Sequence, residues 1–128
     1  MHSLTAVEIK TFVPARDFDL SKRFYTELGF TIASSSDDIA YIRYENCSFL
    51  LQRFFIKEHA ENFLMHFLVQ SADAWHEKVQ ALRLDEKYGV HIGDLRDQPW
   101  AMRDFTLSDP SGVLWRIGHN LAGVGPRP

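Results

Sequence analysis

Disulfide frameworks and cysteine-based zinc sites are out of reach of this chain, because its 128 residues include a single cysteine, Cys47. An excess of charge of one sign is also missing: 14 Lys and Arg against 17 Asp and Glu leave a net charge of −3. Nucleic-acid binding needs clustered cations, so the balance argues against that class of function; the slight acidic excess favours, weakly, a cationic ligand or partner. No apolar run approaches the roughly 20 residues of a membrane helix. The opening MHSLTAVEIK lacks the basic start and apolar core of a signal peptide. The expected location is the cytoplasm, with no membrane contact and reduced thiols. There is no nucleophile elbow and no glycine loop that would cradle a phosphate. His2, His59, His76, His91 and His119 fall at no metal-ligand spacing.

Aromatic residues are abundant, at 13% with ten Phe, which points to a Phe-rich core or an aromatic-lined pocket. Residues 100–119, WAMRDFTLSDPSGVLWRIGH, read as a strand, a turn at Asp109-Pro110-Ser111-Gly112 and a second strand. Arg103, Phe105 and Leu107 alternate with Met102, Asp104 and Thr106; Val113, Trp115 and Ile117 alternate with Leu114, Arg116 and Gly118. Matching the apolar sets places Leu107 opposite Val113, Phe105 opposite Trp115 and Asp104 opposite Arg116, giving one apolar face and one face with an ion pair.

Earlier in the chain, residues 6–13 alternate, with Val7, Ile9 and Val13 on one face and Glu8, Lys10 and Phe12 on the other; Pro14 ends the strand. Asp19 caps a helix carrying Leu20, Phe24 and Leu28, and Gly29 closes it. Strands are expected near 30–35, 39–45 and 47–56, then a polar link at 57–61 and a strand at 63–70. Ser71 caps a second helix with Trp75, Val79 and Leu82 on one face. A further strand is placed within 88–93, a loop follows from Gly93 to Pro99, and residues 121–128 form a frayed tail. Both halves, about 5–57 and 62–120, thus run strand, helix, three strands within a single domain. The fold class is α+β: two βαβββ modules whose curled mixed sheets surround a ligand cleft.

Each sheet keeps one apolar face for its helix and one mixed face, on which Glu8, Lys10, Phe12, Gln52, Phe54, His66, Asp104 and Arg116 fall. Any chemistry belongs there. The bland reading pairs Lys10 with Glu8 and Arg116 with Asp104 to neutralise charge. The functional reading has one of the cations anchor an anionic or carbonyl group. Trp100, after Pro99 in a polar loop, is a candidate platform for a flat ligand. Trp75 and Trp115 read as core, and Cys47 as inert.

FVPARDFDLSKRFYTELGF and DFTLSDPSGVLWRI resemble the first strand and helix and the closing hairpin of the vicinal oxygen chelate superfamily, which includes glyoxalases, extradiol dioxygenases and bleomycin resistance proteins. The resemblance implies sheets curled around a cavity, in dimers. It also implies metal-ligand positions at residues 10, 66 and 116. Here these hold Lys10, His66 and Arg116; an ammonium and a guanidinium have no lone pair to give, and one histidine cannot hold a metal that wants three or four ligands. PARDFD at 14–19 and Arg116 resemble the metal-free bleomycin resistance subgroup. That implies a homodimer with two clefts at the subunit interface and sequestration of a bulky, cationic, aromatic-bearing glycopeptide such as bleomycin, with no cofactor and no catalytic residue. The expected ligand-binding residues, taken from the mixed faces and the loop tryptophan, are Lys10, Phe12, Phe54, His66, Trp100, Asp104 and Arg116. Two alternatives stay open: a metal-dependent enzyme with unusual ligands such as Glu8, Gln52 and His66, and a binding module for an unidentified metabolite.

Overall fold

Alternating apolar residues in each half of the chain build one four-stranded sheet per half. In the computed structural model, which describes residues 2–121, the first half runs β1 (Phe12–Pro14), α1 (Phe18–Leu28), β2 (Thr31–Ser35), β3 (Ile39–Tyr44) and β4 (Cys47–Gln52). The short α2 (Lys57–Glu61) leads into β5 (Leu64–Leu68), α3 (Ala72–Ala81), α4 (Leu84–Tyr88), β6 (Arg96–Gln98), β7 (Met102–Ser108) and β8 (Leu114–Asn120). Strand order is β1-β4-β3-β2 in one sheet and β5-β8-β7-β6 in the other. In each, the leading strand lies parallel to the last and the other pairs are antiparallel. The two halves therefore share topology as well as element order, and the class is α+β.

The helices start where side chains satisfy free backbone donors. Asp17, rather than the expected Asp19, caps α1 by accepting from Leu20 N at 3.1 Å, and Gly29 closes the helix at φ 118°, where a Cβ would be strained. Moving the cap back two residues puts Phe18 in the first turn, and the buried stripe becomes Phe18, Ser21, Phe24, Tyr25 and Leu28. Ser71 caps α3 as expected, accepting from Ala74 N at 3.1 Å.

Alternation also decides which face of each sheet is buried. Ala40, Ile42, Phe49 and Leu51 from the first sheet, and Phe67, Phe105, Leu107, Trp115 and Ile117 from the second, enter one core. Phe49 and Trp115 meet edge to face at 5.4 Å, and Phe30 reaches Phe67 at 5.6 Å, so the two core faces look toward one another. Each such ring contributes on the order of 2–3 kcal/mol by burial alone. The opposite faces of the sheets consequently point away from each other within one chain.

A buried hydrogen-bond chain ties the halves together. The Tyr25 hydroxyl of α1 donates to Asp109 Oδ2 at 2.6 Å and accepts from Trp115 Nε1 at 2.9 Å. Asp109 Oδ1 accepts from the backbone N–H groups of Ser111 and Val113 at 2.8 and 2.9 Å, while the Asp109 N–H donates to the Val113 carbonyl at 2.8 Å. Burial pushes the Asp109 carboxyl up to about 6, against the pull of these donors.

Several expectations are corrected. The hairpin faces are as expected, but the register is displaced: Leu107 pairs with Trp115, Phe105 with Ile117, Thr106 with Arg116 and Asp104 with Gly118. Asp109 closes the turn onto Val113, so the ladder starts at Ser108–Leu114, and a displacement of two residues keeps every side chain on its face. The strand expected over residues 6–13 is confined to β1. Upstream of it, Thr11 O still accepts from Leu50 N, but Val7 and Ile9 have no surface in the chain to bury against and stand 95% and 94% exposed. Residues 57–61 are helical rather than a plain link. The strand placed within 88–93 is instead the end of α4, closed by Gly89 at φ 67°, with one isolated bridge from Ile92 to Leu107. The strand that completes the second sheet is β6, inside the segment expected to be a loop. Of the tail expected over 121–128, Leu121 is tied by its N–H to the Ala101 carbonyl at 3.0 Å, and 122–128 lie outside the described residues.

The Asp109 proton gives a test of the joint. With an ordinary carboxyl near 3.8 in the unfolded chain and about 6 in the fold, the folded state binds the proton more tightly. Its stabilising effect is complete below about pH 3.8 and is lost as pH rises through about 6, a span of about 3 kcal/mol. Urea unfolding of the wild type and Asp109→Asn at pH 4, 5, 6 and 7 is expected to show their stability difference moving by that order in the wild type's disfavour; a pH-independent difference would count against it.

Candidate ligand-binding site

The open face of the second sheet gathers most of the expected site. Because β6 and β7 pair Arg96 with Asp104 and Gln98 with Met102, the side chains of Arg96, Gln98, Met102, Asp104 and Thr106 share this face with Arg116 and His66, which sit opposite one another on β8 and β5. Asp104 is 1% exposed, and its carboxylate accepts from Gln98 Nε2 at 2.9 Å and from Arg116 Nη1 at 3.1 Å. The Arg116 guanidinium carbon lies 5.9 Å from the ring centroid of Trp100, which is 56% exposed. A cavity of about 390 Å³ lies here, lined by His91, Gly93, Arg96, Gln98, Thr106 and Arg116 among others.

Gly118 makes this geometry possible. It is the cross-strand partner of Asp104, and a Cβ built on it would stand 2.7 Å from the Asp104 Cβ. The bare backbone leaves room for Asp104 to sit buried beside β8 and receive Arg116 diagonally from two residues upstream.

Lys10 and Phe12 lie with the first sheet. The open face of that sheet carries Phe12, Tyr41, Arg43, Ser48, Leu50 and Gln52. Glu8 and Lys10 fold over it: the Glu8 carboxylate accepts from the hydroxyls of Ser48 and Tyr41 and from Lys10 Nζ at 3.2 Å. Those donors, Ser48 foremost and Tyr41 next, hold the Glu8 carboxyl down to about 2. Arg43 Nη1 donates to the Tyr41 hydroxyl at 2.5 Å, and Lys10 Nζ lies 4.8 Å over the Tyr41 ring. Phe54 lies beyond the end of β4, 49% exposed, its carbonyl accepting from Ala15 N.

The structure thus brings Asp104, Arg116, Trp100 and His66 to one face and places Lys10 and Phe12 on the face that points away from it. Glu8, Gln52 and His66, the unusual metal set, are divided in the same way within one chain. Among the described residues, no three His, Cys, Asp or Glu side chains cluster to hold a metal ion. Sequence reasoning missed Arg96 and Gln98, because β6 is polar and carries no apolar alternation. Tyr41 and Arg43 could have been found from their alternation with Ala40 and Ile42. A larger cavity, about 530 Å³, opens beside Tyr44, Cys47, Phe67, Ser71 and Trp75 and includes none of the expected residues.

The model of the Glyoxalase/Bleomycin resistance protein/Dioxygenase superfamily matches residues 7–117. The chain belongs to that superfamily. Among solved structures, it is similar to a bleomycin-binding protein complexed with bleomycin, at 20% identity and a TM-score of 0.78, over 90% of this chain and 99% of that one. It is similar also to the bleomycin-binding protein of bleomycin-producing Streptomyces verticillus complexed with copper(II)-bleomycin, at 19% identity and a TM-score of 0.74, covering 94% and 99% of the two chains. A lactoylglutathione lyase from Agrobacterium tumefaciens aligns at 15% identity and a TM-score of 0.67, covering 90% and 95%. At these identities the likeness establishes the fold, which binding proteins and an enzyme share. A search of the curated proteins finds no match.

The Asp104–Arg116 pair is expected to be costly to break from one side. Arg116→Ala leaves a buried carboxylate with Gln98 alone and should lose about 2–3 kcal/mol in urea unfolding, the low end for a buried pair because one edge of the guanidinium is open. Asp104→Asn combined with Arg116→Gln should recover most of that loss. If the double variant is no more stable than Arg116→Ala, the pair does not act as a unit.

Proposed function

We propose that the protein is a non-catalytic binding protein that holds a small aromatic-bearing molecule between two copies of the chain and releases it unchanged, in the manner of bleomycin resistance proteins. The observation that carries this reading is the chemistry at the superfamily's metal-ligand positions. Two of the three hold Lys10 and Arg116, cations without a lone pair, each already engaged by a carboxylate at 3.2 and 3.1 Å. Without a metal to polarise a substrate, what the faces offer is shape, an exposed Trp100 and oriented donors.

The second copy is supported by what one chain leaves bare. The two open faces point apart, so each is a single wall. Leu4, Val7 and Ile9 are 100%, 95% and 94% exposed although Glu8 and Lys10, which alternate with the last two, are hydrogen-bonded on the first sheet's side. Leu64 and Leu68, on an edge strand of the other sheet, are 58% and 45% exposed. Pairing copies would cover these apolar rows and set the first-sheet wall of one chain against the second-sheet wall of its partner. A bleomycin-like glycopeptide is the ligand the resemblance brings with it. Sequestration of such a drug needs a dissociation constant of roughly 1 µM or tighter, about 8 kcal/mol.

Two measurements test the reading. Light scattering at micromolar concentration is expected to give about twice the 14.8 kDa of one chain; a mass near 15 kDa contradicts the shared cleft. Elemental analysis of protein purified without chelators is expected to show no stoichiometric divalent metal, and zinc, nickel, manganese or iron should leave the melting temperature unchanged. One tightly bound metal per chain would return the enzyme reading to first place.

A further inference from the structure

We infer that the cleft takes a planar aromatic molecule bearing a carboxylate or comparable anionic group, with its ring on Trp100 and its anion on the free edge of the Arg116 guanidinium. This rests on the ligand-binding reading above and sharpens it, because it assigns the ligand's charge.

The argument is an account of donors and acceptors. Among the described residues, the two carboxylates held against the open faces, Glu8 and Asp104, are both engaged by donors. Both oxygens of Glu8 accept from Tyr41, and Ser48 and Lys10 add further donors. Asp104 is buried, and its oxygens accept from Gln98 and Arg116. Asp94, at the mouth, is 85% exposed and 3.6 Å from Arg96, a solvent-screened pair. A cationic ligand would have to displace a partner from Glu8 or Asp104 to reach an acid held against either face.

The cations are not so confined. Arg116 uses only Nη1 on Asp104; among the described residues its Nε and Nη2 donate to nothing, and the side chain is 29% exposed in the wall of the 390 Å³ cavity. A guanidinium held by a carboxylate on one edge presents its other donors in a fixed plane, the arrangement that receives a carboxylate, phosphate or sulfonate. Lys10, Arg43, Arg96 and Arg116 stand against Glu8, Asp104 and Asp94, so the faces carry an excess of positive charge although the whole chain is acidic. His66 and His91 also border the second-sheet face and add donors rather than negative charge. Trp100, exposed and within 6 Å of the guanidinium, supplies a ring surface beside the anion site.

The test uses three isosteric probes, 2-naphthoate, 2-naphthamide and 2-naphthylmethylammonium, titrated into the full chain by calorimetry at pH 7, with bleomycin as a large cationic comparator. Naphthoate should bind at least tenfold more tightly than naphthamide, and the ammonium more weakly than either. In Asp104→Asn/Arg116→Gln, which leaves no buried unpaired carboxylate, the ratio of naphthoate to naphthamide affinity should fall to about one. Trp100→Ala should weaken all three, which reports on the cleft independently of charge. Equal binding of naphthoate and naphthamide, or an advantage that survives the double variant, overturns the anion site and leaves the cleft standing. Tighter binding of bleomycin than of naphthoate at the Trp100 site does the same and supports the drug reading. No binding of any probe at millimolar concentration overturns both.

Discussion

The hydrogen-bond chain Trp115–Tyr25–Asp109 is the constraint on which the rest of the molecule's geometry depends. It joins a helix of the first half to the closing hairpin of the second, inside the core, where an unpaired hydroxyl, indole N–H or carboxylate would be costly. Its effect reaches the open face through the turn. Because the Asp109 carboxylate gathers the N–H groups of Ser111 and Val113, Val113 is drawn into the turn and the register is displaced by two residues from the one apolar matching suggests. Arg116 then lies opposite Thr106 rather than Asp104, and it reaches Asp104 on the diagonal over Gly118. In this arrangement the guanidinium meets Asp104 through Nη1 alone.

This dependence also separates what could be read in the sequence from what could not. The faces were legible: Phe105, Leu107, Trp115 and Ile117 are buried as their alternation requires, because period 2 survives any even displacement of register. The register was not, since it is set by a side chain bonding to backbone within the turn, which alternation does not record. The repeat of strand, helix and three strands was legible from the spacing of the apolar runs. The last strand of the second sheet was hidden, because Arg96, Asp97 and Gln98 are held by Asp104 and Arg103 rather than by burial. Of the seven expected site residues, Asp104, Arg116, Trp100 and His66 meet. Lys10 and Phe12 lie on the other sheet, and Phe54 beyond the end of its last strand. Sequence could name the mixed faces but not that the two core faces look inward and the mixed faces outward.

The leading segment shows a similar division of labour. Along residues 7–13 the even positions are fixed by polar contacts to the first sheet, Glu8 through Tyr41 and Ser48 and Lys10 through Glu8. The odd positions run from Val7 and Ile9 in solvent to Val13 in the core. A segment held by its polar side with its apolar side outward is not a frayed end. Its alternation is that of a strand with one face satisfied within the chain and the other, Val7 and Ile9, left bare.

Net charge, finally, is a poor guide to what such a site attracts. The chain's excess of acids acts at long range and is screened within about a nanometre at physiological salt. At contact the relevant quantity is which groups still have hydrogen-bonding capacity. Asp104, the acid beside Arg116, is engaged by amide and guanidinium donors, as Glu8 on the other sheet is by hydroxyls and an ammonium. Lys10 is a compact charge directed at Glu8, whereas the planar fork of Arg116 serves Asp104 with one nitrogen and keeps others unengaged. An arginine where the resemblance implies a metal ligand does more than leave that ligand out. It puts a donor where a metal site needs an acceptor, and on the proposed reading it sets the sign of the group received there.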